Sequence, residues 1–160
     1  MSPVKISLMV CALMASAALT LPLAAQARPD TSTATQLPSV ELPRDLARVL
    51  TDYETEWRRG GGAVAQLFTE DGLVLSGGRP PIKGHAAIAE HYGRGGGGPL
   101  SLRALAFAAE GGVGYIIGAY TTEKGAPDIG KFTLTLRKRP DGRWMIVSDM
   151  DNMNRRPGAP

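Results

Sequence analysis

The sequence predicts an α+β domain. Three observations carry that prediction. Apolar residues at helical spacing are confined to the first half of the chain, and runs of strand-forming residues dominate the second half. The turn signals between those runs are only a few residues long, which implies antiparallel hairpins. Helices first and strands last is the α+β order.

The chain has 160 residues, and the first 27 read as a removable leader. Lys5 supplies a positive start. Ile6 to Leu23 is apolar and rich in Leu, Met and Ala. Ala25-Gln26-Ala27 is a small-x-small cleavage site, followed by polar sequence. A retained membrane anchor is the competing reading. Pro22 and the lack of a following positive cluster speak against it. Cys11 is the only cysteine, and Val10 before it with apolar sequence after it does not fit a lipid-attachment site. Removing the leader leaves 133 residues and takes the net charge from +3 to +2. The mature chain then has no thiol, no disulfide and no sulfur ligand for zinc. A periplasmic or secreted domain held by packing alone is expected, with no stable membrane anchor after cleavage. The remaining length suits one domain. With 21% charged residues and no long basic block, the composition argues against a nucleic-acid partner.

Residues 28–41 lack periodicity and read as a flexible arm, residues 42–153 as the domain, and residues 154–160 as a disordered tail. Pro43 and Asp45 suit a first helical turn. Leu46, Val49, Leu50, Tyr53 and Trp57 then mark one helical face, and Gly60-Gly61-Gly62 stops it. A short helix over Ala63 to Phe68 follows, then a strand over Leu73 to Leu75. Arg79-Pro80-Pro81 is irregular, because proline cannot donate to a ladder. A helix over His85 to Tyr92 leads into the glycine-rich loop Arg94 to Pro99. Strands are expected over Leu100–Ala109, Val113–Thr122, Lys131–Arg139 and Arg143–Asp149. Turns at Glu110-Gly111-Gly112, Lys124-Gly125 and Pro140-Asp141-Gly142 separate them.

Several local patterns resemble the nuclear transport factor 2-like superfamily, also called SnoaL-like or ketosteroid isomerase-like. They are Tyr53 to Gly60, Leu67-Phe68-Thr69-Glu70-Asp71-Gly72-Leu73-Val74, Ile82 to Ile88, Tyr115 to Thr121, Asp141 to Val147 and Ser148 to Asn152. Together they span residues 46–152, and the last three are similar to a subgroup of small bacterial proteins. The resemblance implies a cone. A strongly curved antiparallel sheet wraps the helices, an apolar cavity opens at one end, and the open sheet face makes a homodimer. It says little about chemistry, because this fold hosts enzymes, binding proteins and transport adaptors.

Ketosteroid isomerase chemistry uses a base carboxylate, a tyrosine and a neutral carboxylic acid. The resemblance puts Tyr53 at the tyrosine position, Ser76 at the base position and Phe132 near the third. Serine is no base unaided and phenylalanine has no proton to give, so the usual set is incomplete. Asp149 is the acid of interest. Strand alternation puts Val147, Asp149 and Asp151 on one face, and the resemblance turns that face toward the cavity. An acid there would have a raised pKa and could act as base or hold a polar ligand group. The competing readings are a core tyrosine at 53 and a strand-end acid at 149. His85 and His91 are six residues apart, no helical neighbours, and imply no metal. The run Gly93-Arg94-Gly95-Gly96-Gly97-Gly98 lacks the lysine and hydroxyl of a phosphate loop. No serine-hydrolase elbow is present.

The expected function is binding of a small, mostly apolar molecule without a cofactor. The expected lining is Tyr53, Trp57, Ser76, Ile117, Ala119, Val147 and Asp149. An isomerase-like or cyclase-like enzyme, with Asp149 as base and Tyr53 polarising a carbonyl, is the first alternative. A protein-interaction module is the second.

Overall fold

The computed structural model of the chain describes residues 36–154. The leader, the arm up to residue 35 and the tail from residue 155 lie outside the described residues. Helix α1 (Arg44–Arg59) comes first, then a 3-10 turn (Ala63–Leu67). Strands β1 (Phe68–Val74) and β2 (Ile82–Lys83) precede helix α2 (His85–Gly93). Strands β3 (Ser101–Glu110), β4 (Val113–Thr121), β5 (Gly130–Lys138) and β6 (Trp144–Met153) complete the order.

Helix α1 forms where the apolar spacing places it. Leu46, Val49, Leu50 and Tyr53 are its buried face. Pro43 caps its start, and Asp45 sits in the first turn. The Asp45 carboxylate accepts from Trp144 Nε1 at 2.9 Å and from Lys138 Nζ at 3.0 Å, tying the helix start to β5 and β6. Gly60, with φ +68°, ends the helix and donates its N–H to the Trp57 carbonyl at 3.0 Å. Farther along, Glu54 Oε1 accepts the Leu102 N–H at 2.7 Å and fastens the helix to β3.

The six strands lie in the order β2-β1-β6-β5-β4-β3. The pairs β3–β4, β4–β5 and β5–β6 are antiparallel, as their short connections require. The sheet is nonetheless mixed, because β1 runs parallel to β6. No hairpin links those two: the chain passes through α2 and four strands between them. Strand β1 begins at Phe68, earlier than its apolar run, because Thr69-Glu70-Asp71 hides the alternation. Strand β6 runs on to Met153, past Asp149.

Register shifts interrupt three of the strand pairs, β1–β6, β3–β4 and β5–β6, and the last two are one-residue bulges. Opposite β4, Ala104 pairs Gly118 and Ala106 pairs Ile117, leaving Leu105 extra. Opposite β5, Ser148 pairs Thr135 and Ile146 pairs Leu136, leaving Val147 extra. Such insertions kink a strand and increase its twist. The concave face packs on the helices. Leu46, Leu50, Phe68, Ile88, Ile116, Leu134, Leu136 and Ile146 form the centre of this core. Gly118 leaves room for the Phe132 ring: an added Cβ would run into that ring and the Arg103 carbonyl.

The described part of the arm, residues 36–41, is tied to β3. Val40 N–H donates to the Ala104 carbonyl at 3.0 Å. Arg103, paired with Asp128, donates to the Leu37 carbonyl at 2.7 Å. An extended segment bonded in this way has no periodicity to read in sequence.

Candidate functional site

A cavity of about 710 Å³ opens between the helices and the concave face of the sheet. That volume is within the usual range of small-molecule pockets, roughly 300–1,000 Å³. Its walls are mainly apolar: Trp57 from α1, Leu100 and Leu102 at β3, Tyr120 from β4, and Phe132 and Leu134 from β5. Arg79, His91, Arg94, Gly95 and Pro99 belong to its lining as well, so the glycine-rich loop borders the cavity.

Three polar side chains from three elements converge inside it. Tyr53 projects from the buried face of α1. Tyr92 projects from α2, four residues after the fully buried Ile88 and therefore on the same inward face. Asp149 projects from β6, opposite Leu134 on β5 and beside Val74 on β1. The Tyr53 hydroxyl donates to Asp149 Oδ2 at 2.8 Å, and the Tyr92 hydroxyl reaches the same oxygen at 3.1 Å. The two hydroxyls are 3.0 Å apart. The rings of Tyr53 and Tyr92 meet edge to face at 6.4 Å, and Trp57 packs on Tyr92 in the same manner at 5.8 Å.

Asp149 is 3% exposed. Burial raises its pKa from 3.8 to about 6, the Tyr53 bond opposes the rise, the Asp151 charge adds to it and the Tyr92 bond opposes it. The phenol pKa values of Tyr53 and Tyr92 are pushed well up, first by burial and then by the Asp149 charge. Both tyrosines therefore stay protonated at neutral pH. Asp149 changes charge near pH 6 and is suited to accept or release a proton. Replacing Tyr53 by phenylalanine removes one donor that holds this pKa down. The Asp149 titration should move above about 6 in Tyr53→Phe, read from its side-chain carboxyl carbon by NMR. A midpoint that stays or falls would mean that the hydroxyl does not stabilise the carboxylate.

A second carboxylate lies beside the first. Ser76 Oγ donates to Asp151 Oδ1 at 2.6 Å, and both residues line the cavity. Parallel pairing explains the contact: Leu75 N–H bonds the Asp149 carbonyl at 2.8 Å and Gly77 N–H the Asp151 carbonyl at 2.9 Å. Ser76 thus faces an acid delivered by the neighbouring strand. His91 is held below its ordinary pKa by burial first, then by Arg79 and Arg94, with Asp151 opposing. His85 lies apart from this group, with Nε2 bonded to the Phe68 carbonyl at 2.8 Å. Among the described residues no group of three His, Cys, Asp or Glu side chains is placed to hold a metal ion.

Of the residues singled out from sequence, Tyr53, Trp57, Ser76 and Asp149 line the cavity. Ile117, Ala119 and Val147 do not, and their assignment is corrected. Ile116, Gly118 and Tyr120 of β4 share the inward face, so Ile117 and Ala119 point outward. Ile117 is exposed, while Ala119 is buried between Arg103 and Lys131 on the convex side. Val147 is the extra residue of the β6 bulge. That bulge puts Ile146, not Val147, on the face of Asp149 and Asp151. Tyr92 was missed; its four-residue spacing from Ile88 is the signal that marks it.

No protein-family model matches the chain. No curated protein matches it either. Solved structures do. A ketosteroid isomerase-like protein from Erwinia carotovora atroseptica superposes with a TM-score of 0.57 at 18% identity, over 70% of this chain and 95% of that one. An NTF-2 like protein of unknown function from Shewanella oneidensis gives 0.56 at 24%, over 68% and 96%. An NTF2-like protein with a cystatin-like fold from Novosphingobium aromaticivorans gives 0.50 at 19%, over 71% and 82%. At these identities the likeness shows the fold alone, and that fold is NTF2-like.

Proposed function

We propose that this nuclear transport factor 2-like domain binds a small, mostly apolar molecule and orients its polar group on Tyr53, Tyr92 and Asp149. One observation carries the reading: a hydrogen-bonded Tyr-Asp-Tyr cluster sits inside a mainly apolar cavity. A buried carboxylate with a raised pKa weakens the fold, and a ligand that uses it explains its presence. The reading extends to export, from the leader pattern of residues 1–27, and to a homodimer. The convex face of the sheet supports the dimer, with Val113, Tyr115, Ile117 and Met150 all exposed there.

A proton-transfer enzyme is the second reading, favoured by the 2.8 Å contact between Tyr53 and Asp149. Asp149 would take the proton, with Asp151 as a second acid nearby. While Asp149 is ionised the Tyr53 proton is drawn to it. Tyr53 then polarises a carbonyl only by giving up that bond.

The test is extraction. The mature chain is purified and sedimented, and any co-purified molecule is identified by mass spectrometry. A dimer carrying a reproducible small apolar ligand is expected. An empty cavity, with no thermal shift across lipid, steroid and polyketide panels, would remove the binding reading. A monomer would remove the dimer alone.

A further inference from the structure

The polar group that the cavity selects follows from counting protons. Asp149 Oδ2 and the two tyrosine oxygens form a closed triangle with edges of 2.8, 3.1 and 3.0 Å. Two hydroxyl protons serve that triangle. With Asp149 ionised, both are drawn to Oδ2, since bonds to a charged acceptor outweigh a neutral one. No donor of this triangle is then left over for a ligand. What remains is acceptors. Asp149 Oδ1 has no hydrogen-bond partner among the described residues and is not sealed from open space, while its residue is 3% exposed and lines the cavity.

We propose that the ligand donates a hydrogen bond to Asp149 Oδ1, so that the cavity takes hydroxyl-bearing apolar molecules in preference to ketones of the same skeleton. The inference rests on the binding reading above and names its ligand class. A hydroxyl ligand satisfies the free oxygen. A ketone brings a second acceptor against it and leaves both unpaired, which is the costly case for buried polar groups. Protonating Asp149 adds a third proton to the cluster and frees one donor, so the disadvantage of a ketone shrinks in acid. The titratable groups facing Asp149 are Tyr53 on α1, Tyr92 on α2, Tyr120 on β4 and Asp151 on β6. Leu134 on β5 and Val74 on β1 add no charge there. The three tyrosines stay neutral as pH falls from 8 to 5, since their pKa values are raised.

The test uses 9-fluorenol, 9-fluorenone and fluorene, which share one tricyclic skeleton. Fluorenone has no hydrogen on the carbons next to its carbonyl positioned to enolise, so turnover does not confuse binding. Calorimetry on the mature chain should show fluorenol binding at least about tenfold more tightly than fluorenone at pH 8, the scale of one hydrogen bond to a charged group. The ratio should narrow toward one at pH 5. Asp149→Asn presents an amide N–H and should reverse the order at pH 8. The wild-type comparison stands without that variant if it fails to fold. Equal binding of all three compounds at pH 8, or tighter binding of the ketone, overturns the inference and leaves the binding reading intact. Binding of none overturns both.

Discussion

Asp149→Asn should be more stable than the wild type at pH 8 and no different from it near pH 4. In the folded domain Asp149 titrates at about 6, against 3.8 when unhindered. Below 3.8 the group is protonated in both the folded and unfolded chain and contributes no difference. As pH rises from 3.8 toward about 6 the unfolded chain ionises while the buried group in the folded domain resists, so stability falls across that interval and levels off once both are charged. The interval between the two values corresponds to about 3 kcal/mol at pH 8. Asparagine keeps the side-chain oxygen that accepts from Tyr53 and Tyr92 and never ionises, so the variant escapes this loss. Urea denaturation of both proteins from pH 4 to pH 8 reads the gap directly. A constant gap, or a less stable variant at pH 8, would show that the Asp149 charge is well compensated in the fold. The expected result pairs a gain in stability with a loss of the hydroxyl preference, the usual trade at a binding site.

Gly62→Ala should cost the fold about 3 kcal/mol or more, whereas Gly61→Ala should cost only about 1 kcal/mol. Both glycines have left-handed backbone, with φ of +83° and +61°. They differ in what surrounds them. A Cβ on Gly62 would overlap the Ala89 carbonyl and lie 2.8 Å from the Ala89 Cα, all backbone of α2. A Cβ on Gly61 meets nothing within 4 Å. The clash cannot be relieved by a side-chain rotation, so α2 must shift. Because α2 carries Tyr92, the Gly62 variant should also disturb the Tyr92 bond to Asp149 and move the Asp149 titration. Thermal melts and the carboxyl titration of both variants separate the two effects. Equal losses from the two substitutions would mean that α2 gives way at little cost.

Much of the fold was legible because it is written in local periods. The spacing of Leu46, Val49, Leu50 and Tyr53 places α1 and its buried face. The alternation of Phe132, Leu134 and Leu136 with Thr133 and Thr135 places β5 and shows which side is inward. Asp149 was singled out as an acid on the inward face. The face was read by unbroken alternation, however, and the bulge at Val147 breaks it. One extra residue exchanges the two faces of a strand, so Val147, the extra residue itself, was assigned to the wrong side. Ile117 and Ala119 failed for a related reason. Nothing in a continuous run such as Tyr115-Ile116-Ile117-Gly118-Ala119-Tyr120 says which set faces in, until Gly118 and Tyr120 are seen paired with Phe132 and Gly130.

The sequence by itself determined the class of the domain, the order of its elements apart from the short β2, and a tyrosine on the buried face of α1. Those are consequences of spacing along one chain. Only the tertiary structure decided that Tyr53 and Asp149, 96 residues apart, meet at 2.8 Å, and that Tyr92 joins them. It also decided that Asp151 comes to Ser76 across the parallel pair of β1 and β6. Side chains that share a proton must lie within hydrogen-bonding distance. That distance is set by strand order, a one-residue bulge and the seat of α2 on Gly62, none of which leaves a periodic trace in the sequence.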